Sequence, residues 1–70
     1  MESVTIQTEY IRLDAFLKYV GEAGTGGGAK LYITEGKVTV NGAPCLQRGK
    51  KLRPGDTVEL DGRRYAVTAP

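Results

Sequence analysis

Apolar positions change their spacing twice along the chain. Val4-Thr5-Ile6-Gln7 alternates apolar and polar side chains, which predicts a short strand. Leu13, Phe16, Leu17 and Val20 then fall at i, i+3, i+4 and i+7, the stripe of an amphipathic helix. Asp14 near its start suits the positive end of the helix dipole, and Gly21 is a natural stop. Ala29, Tyr32 and Ile33 repeat the helical spacing, Leu31 widens the apolar face, and Gly36 ends this second helix. The pattern therefore predicts two short helices with a tight connection between them.

From Lys37 the period becomes two. Val38 and Val40 alternate with Lys37 and Thr39, and Asn41-Gly42 supplies a strong hairpin signal. Ala43 to Gln47 is expected to return as the partner strand, with Pro44 confining it to an edge or a bulge. Pro54-Gly55-Asp56 marks another turn. Thr57-Val58-Glu59-Leu60 and Arg64-Tyr65-Ala66-Val67 flank Asp61-Gly62 as a second hairpin, and Thr68 to Pro70 reads as a frayed end. The order of elements indicates an α+β domain, two short helices packed on a small antiparallel sheet with β-hairpins.

Seventy residues without repeat or linker make a single domain, 1–70. A chain of this size buries only about 60 % of the surface that its unfolded form exposes. One cysteine, Cys45, and no histidine exclude an intramolecular disulfide and a Cys/His zinc site. The lone thiol reads as a small apolar filler and fits a reducing, cytoplasmic setting. The chain has no apolar run long enough for a membrane span, and its first residues lack the features of a signal peptide. No cofactor is expected.

Net charge is only +2, but its distribution is one-sided. Between Gly36 and Gly55 lie Lys37, Arg48, Lys50, Lys51 and Arg53 with no acid among them. Basic runs are often solvated loops; the missing counter-charge here predicts a local positive field.

The stretch Ala23-Gly24-Thr25-Gly26-Gly27-Gly28-Ala29-Lys30 offers several chemical readings. A Walker loop fails, because Ala29 separates Gly28 from Lys30 and Leu31 replaces the magnesium-binding hydroxyl. Gly24-x-Gly26-x-x-Ala29 matches a dinucleotide fingerprint only by chance, since it follows a helix rather than a strand. Gly24 to Gly27 also fits the GxxG loop of a KH-type RNA-binding domain, though without a basic residue inside the loop. A sharp turn between helices explains Gly24, but three successive glycines in a helix cost about 0.5–1 kcal/mol each relative to alanine. With Thr25 as N-cap, Gly26, Gly27 and Gly28 form a first turn whose bare amides can approach a phosphate, and Lys30 adds a charge one turn on.

Several segments together resemble a known family. Arg12-Leu13-Asp14 opens the first helix, and Ala29-Lys30-Leu31-Tyr32-Ile33 lies in the second. Gly36-Lys37-Val38-Thr39-Val40-Asn41-Gly42 precedes Gly49-Lys50-Lys51-Leu52-Arg53-Pro54-Gly55-Asp56-Thr57-Val58. This resembles the RNA-binding domain named after the fourth small-subunit ribosomal protein, the S-four or αL-type fold, most strongly over residues 9–60. The Thr-Gly-Gly connection and the Arg-Gly-Lys-Lys-Leu run are similar to small stand-alone bacterial members of the YaaA/YbcJ type. The resemblance implies binding of structured RNA, often ribosomal, through the two helices and the adjacent hairpin, with a ribosomal subunit or assembly proteins as further partners.

Many S-four domains begin helix two with Ser-Arg, whereas Thr25-Gly26 stands here, so backbone amides and Lys30 are expected to replace that arginine. The implied contact set is Arg12, Thr25, Gly26, Gly27, Lys30, Lys37, Thr39, Asn41, Arg48, Lys50, Lys51 and Arg53. The first hairpin is expected to carry Lys37 alongside Arg48. Asn41 has a second reading as a plain turn residue. Among the aromatics, Phe16 and Tyr32 sit on apolar stripes, while Tyr10, Tyr19 and Tyr65 are candidates for base stacking. No nucleophile has an evident base, so a non-catalytic RNA-binding protein is expected. The alternative is an adaptor whose basic loop meets an acidic protein.

Overall fold

A computed structural model describes residues 1–21 and 26–70, with the backbone alone at 26, 27, 29 and 30. Strand β1 (Glu2–Thr5) is followed by β2 (Ile11–Arg12), α1 (Leu13–Tyr19) and α2 (Gly26–Thr34). Five more strands follow: β3 (Val38–Val40), β4 (Ala43–Pro44), β5 (Lys51–Leu52), β6 (Thr57–Leu60) and β7 (Arg63–Thr68). They form a sheet in the order β1-β7-β6-β3-β4 and a separate two-stranded ribbon, β2-β5.

Both expected hairpin turns form. Asn41 and Gly42 have φ of 52° and 85°, Asp61 and Gly62 of 53° and 77°, the paired positive values that a two-residue type I′ turn requires. The second helix ends as Gly36 predicts. The Gly36 amide donates to the Ile33 carbonyl (3.1 Å) and the Lys37 amide to the Tyr32 carbonyl (3.0 Å), the two bonds of a Schellman cap. Pro44 lies on the edge strand, where its missing N–H disrupts no ladder.

Alternation along the strands divides the sheet into two faces. Val38, Val40, Val58, Leu60, Tyr65 and Val67 point inward against Leu13, Phe16 and Leu17 of α1 and Ile33 of α2. The Phe16 and Tyr65 rings meet edge to face, with centroids 5.8 Å apart. Tyr65 is thereby a core residue rather than a stacking platform. Among the described residues, no polar or charged side chain is buried. Residues of the opposite parity, including Thr39, Glu59 and Arg64, lie on the outer face.

The chain ends depart from expectation. Thr68 belongs to β7, and β1 runs parallel to that strand, Glu2 facing Tyr65 and Thr5 facing Thr68. The Ile6 amide extends the pairing to the Thr68 carbonyl (3.0 Å), and the Thr5 and Thr68 hydroxyls are 3.1 Å apart. The first strand therefore spans Glu2–Thr5, paired along Tyr65 to Thr68, rather than Val4 to Gln7. Only Ala69 and Pro70 lie beyond the strand. All other pairings in the sheet are antiparallel.

Candidate nucleic-acid interface

Helix α1 begins without a side-chain cap. Arg12 occupies the N-cap position in an extended conformation and its side chain accepts none of the first helical amides, of which Ala15's is met by Asp14 Oδ1 (2.8 Å). The loop before β5 supplies the acceptors instead. The Leu13 amide donates to the Lys50 carbonyl (2.9 Å) and the Asp14 amide to the Arg48 carbonyl (3.1 Å). The backbone of the basic run is thus fastened to the start of α1, while Arg48 and Lys50 remain exposed.

The β2-β5 ribbon continues this attachment. Ile11 pairs with Leu52 and Arg12 with Lys51. Leu52 is wholly buried and Ile11 packs against the core, whereas Arg12 and Lys51 are exposed on the other side. The Arg12 guanidinium donates to Asp14 Oδ2 (3.0 Å) and lies over Gly49, where an added Cβ would sit 3.7 Å from it. Lys51 Nζ stands 4.9 Å from the centroid of the Tyr10 ring, a cation–π contact that holds the ammonium near the ribbon.

Arg53 opens the turn that closes the cluster. Its amide donates to Asp56 Oδ2 (2.9 Å), and the Asp56 amide returns a bond to the Arg53 carbonyl (2.9 Å). The Arg53 amide holds the Asp56 carboxyl below the usual carboxylate range, helped by Asn41 and by the charges of Lys50 and Arg53, with partial burial opposing. Arg12, Arg48, Lys50, Lys51 and Arg53 therefore gather about one end of α1, with Asp14 and Asp56 as buttressing acids.

Asn41 ties the first hairpin to this turn. Its Oδ1 accepts from the Thr57 amide (2.9 Å) and hydroxyl (3.3 Å), and its Nδ2 donates to Asp56 Oδ1 (3.1 Å). The side chain is exposed but already has a structural task, in keeping with the turn reading.

Lys37 and Thr39 stand apart from the basic cluster. Lys37 is bonded to Glu35 (3.2 Å) just beyond α2. The expected approach of Lys37 to Arg48 does not arise from the hairpin: β3 and β4 pair Thr39 with Pro44 and Val40 with Ala43. This register carries Leu46, not Arg48, toward that end of β3, and Leu46 Cδ2 lies 3.9 Å from the position a Gly36 Cβ would take. Thr39, on the outer face, faces Glu59 and shares a hollow with Met1, Thr57 and Arg64. None of those residues belongs to the basic cluster.

The backbone of α2 begins at Gly26, as expected, with no acid in its first turn. Gly26 and Gly27 thus occupy the helix start, Lys30 lies within α2, and Thr25 falls outside the described residues. The basic loop is bonded to the opening of α1, whereas α2 follows the other end of that helix. Seven residues at 1.5 Å each put about 10 Å of helix between those ends.

Sequence reasoning missed the β2-β5 ribbon and the Tyr10–Lys51 contact. A strand of two residues has too few positions to display alternation, so only the apolar Ile11 and Leu52 hint at it. Among the described residues, no group of three His, Cys, Asp or Glu side chains is arranged to hold a metal, and no helix is long and apolar enough to cross a membrane.

Similarities to known proteins bear on this arrangement. A family model described as the S4 domain matches residues 4–68. The probable ribosome maturation protein RlbA of Bacillus subtilis is 44 % identical over 59 residues, covering 84 % of this chain and 83 % of that protein. The solution structure of YbcJ from E. coli, described as revealing an ALFAL motif involved in RNA binding, superposes with a TM-score of 0.74. It is 31 % identical and covers 99 % of this chain and 89 % of YbcJ. Ribosomal protein S4e from Thermoplasma acidophilum shares the fold at 17 % identity and a TM-score of 0.65, over 86 % of this chain and 32 % of S4e.

Proposed function

Because the chain belongs to the S4 domain family, we propose that it is a non-catalytic, cytoplasmic RNA-binding protein that docks on structured ribosomal RNA. The observation that carries this reading is the fastening of Arg48 and Lys50 to the opening of α1 through their own carbonyls. That attachment uses the backbone of the basic run and leaves the Arg48 and Lys50 side chains exposed, beside Arg12, which is paired with Asp14, and Lys51, which lies over Tyr10. Similarity to a probable ribosome maturation protein supports a role on ribosomal RNA or an assembling subunit. Cations of this kind supply affinity through phosphates and fix the register of the protein on its target.

Helix α2 contributes a second, lesser contact in this reading. The backbone amides of Gly26 and Gly27, at the start of α2, approach a phosphate. Lys37, Thr39 and Asn41 flank the surface rather than form its centre.

Equilibrium titration of fluorescein-labelled ribosomal RNA fragments at several salt concentrations tests the proposal. Five phosphate contacts give a log–log slope of about −3.5 with the single-strand coefficient. Cross-linking in cells and sequencing the attached RNA then names the target. Failure to bind any fragment at low salt, with capture of an acidic protein instead, would replace this reading by that of an adaptor.

A further inference from the structure

Lys50 borders a second feature of the surface. Between the Asn41 turn and the chain that leaves β4 lies an open groove of about 470 Å³. Ala43, Pro44 and Leu46 form its apolar wall, and Asn41, Gln47 and Lys50 bring polar groups to it. Leu46 is 61 % exposed, a large aliphatic side chain left in water beside a lysine. The volume lies within the roughly 300–1,000 Å³ typical of small-molecule sites.

Resting on the RNA reading above, we infer that this groove receives one unpaired nucleobase of the same RNA whose backbone phosphate sits on Lys50. The charge pattern favours that occupant. A nucleotide combines a flat, largely apolar ring with an adjacent anion, and here an apolar wall meets a cation at one edge. The acid-free run from Lys37 to Arg53 includes every residue of the wall, and the acid beside it, Asp56, is held by Asn41 (3.1 Å) and offset by the charges of Lys50 and Arg53. Gln47 is exposed, and its amide can both donate to and accept from a base edge. Asn41 is less available, being held by Thr57 and Asp56. Sequence-specific RNA recognition commonly uses such splayed-out bases, because a paired helix hides their edges.

The test uses fluorescein-labelled RNA hairpins that differ only in one unpaired nucleotide in the stem, each of the four bases in turn, beside a fully paired control. At least one bulged hairpin is expected to bind several-fold more tightly than the control, through burial of the base against the aliphatic wall. Leu46→Ser should abolish that advantage and leave affinity for the paired hairpin unchanged, since the side chain is outside the core. Lys50→Gln should weaken both.

Cys45 also lines the groove and is the chain's single cysteine, so its alkylation rate gives an independent readout. A saturating bulged hairpin should slow it several-fold, the paired one should not. Equal binding of bulged and paired hairpins, with Leu46→Ser and Cys45 alkylation insensitive to the bulge, would overturn the inference. The same result is expected of a groove that takes an apolar protein segment, and it leaves RNA binding standing if Lys50→Gln still weakens both. Failure of every hairpin to bind at low salt would instead overturn the RNA reading and the groove assignment together.

Discussion

The β6-β7 hairpin and the β2-β5 ribbon are both antiparallel pairs, yet they are held in different ways. In the hairpin, four residue pairs run from Thr57–Ala66 to Leu60–Arg63, and Val58, Leu60, Tyr65 and Val67 are buried beneath it. Strands β3 and β1 flank it, so both of its members lie inside the sheet. The ribbon has two pairs and one fully buried side chain, Leu52, and depends on α1 amides for the rest of its attachment. The hairpin is specified by side chains and the ribbon largely by backbone bonds. That division leaves the ribbon's outward side chains, Arg12 and Lys51, exposed, in contact with Asp14 and Tyr10 at the surface.

Removing the one buried anchor should break the comparison most sharply. Leu52→Ala is expected to cost about 2–5 kcal/mol, the range for deleting a buried leucine, and so is Leu60→Ala in the hairpin. For a domain of this size either loss is a large part of the total stability. Urea titration followed by circular dichroism measures both. In Leu52→Ala, RNA affinity should also fall under conditions where the variant remains folded, because the loop bearing Arg48 and Lys50 loses its hold. A cost below about 1 kcal/mol for Leu52→Ala would mean that the ribbon is not part of the cooperative fold.

The same division explains what the sequence makes legible. Val38, Val40 and the Asn41-Gly42 pair announce the first hairpin, and Asp61-Gly62 the second, because alternation and turn chemistry are local. The stripe Leu13, Phe16, Leu17 likewise announces the face that α1 buries. The parallel pairing of β1 with β7 joins the two ends of the chain, and no short window of residues records it. The Asn41–Asp56–Thr57 bonds are similarly hidden: both turn motifs are visible in sequence, but not that one is tied to the other. Thr39 is a different case. Its position between inward-facing Val38 and Val40 already implies the outer face, so strand parity alone separates it from the basic run. The cluster of Arg48, Lys50, Lys51 and Arg53 was visible as charge, while its attachment to α1 rests on carbonyls, which every residue possesses.

A smaller effect is expected where the turn after the ribbon meets the first hairpin. The Arg53 amide and Asn41 favour the charged form of Asp56, so its folded pKa lies below the ordinary aspartate value of 3.8. The resulting stabilisation is fully present above that value and is lost as pH falls through the lower folded pKa. Asp56→Asn should therefore cost about 1 kcal/mol at neutral pH, on the scale of a partly exposed charge-assisted hydrogen bond. The gap from the parent protein should close below pH 3.8, read by thermal melts across an acid series. A gap that persists unchanged in acid would show that the charge of Asp56 does not hold the turn.

Side chains on the ribbon's outer side should affect RNA without affecting the fold. Lys51→Gln is expected to weaken binding about fivefold when extrapolated from 1 M to 0.1 M salt, and to reduce the magnitude of the salt slope by about 0.7. Its melting temperature should fall by no more than about 4 °C, since an exposed cation–π contact such as that with Tyr10 contributes about 0.5 kcal/mol. An unchanged slope would take Lys51 out of the phosphate-binding set. A large loss of stability would mean that the ribbon, like the hairpin, relies on its side chains.

Gly49→Ala should produce the smallest change and sharpen the distinction between backbone and side chain. Gly49 lies under the Arg12 guanidinium, but an added methyl would meet it at 3.7 Å, ordinary van der Waals contact. The positive-φ glycines do not include Gly49, so alanine brings no strain of that kind. The substitution should stabilise the domain by about 0.4–1 kcal/mol through the lower entropy of the unfolded chain. If the side chains of Arg12, Lys50 and Lys51 make the contacts, RNA affinity should remain within about twofold, measured by the same titrations. A tenfold loss with the fold intact would point elsewhere: the RNA backbone would then approach the bare peptide at Gly49, and the ribbon would bind through the same backbone groups that hold it in place.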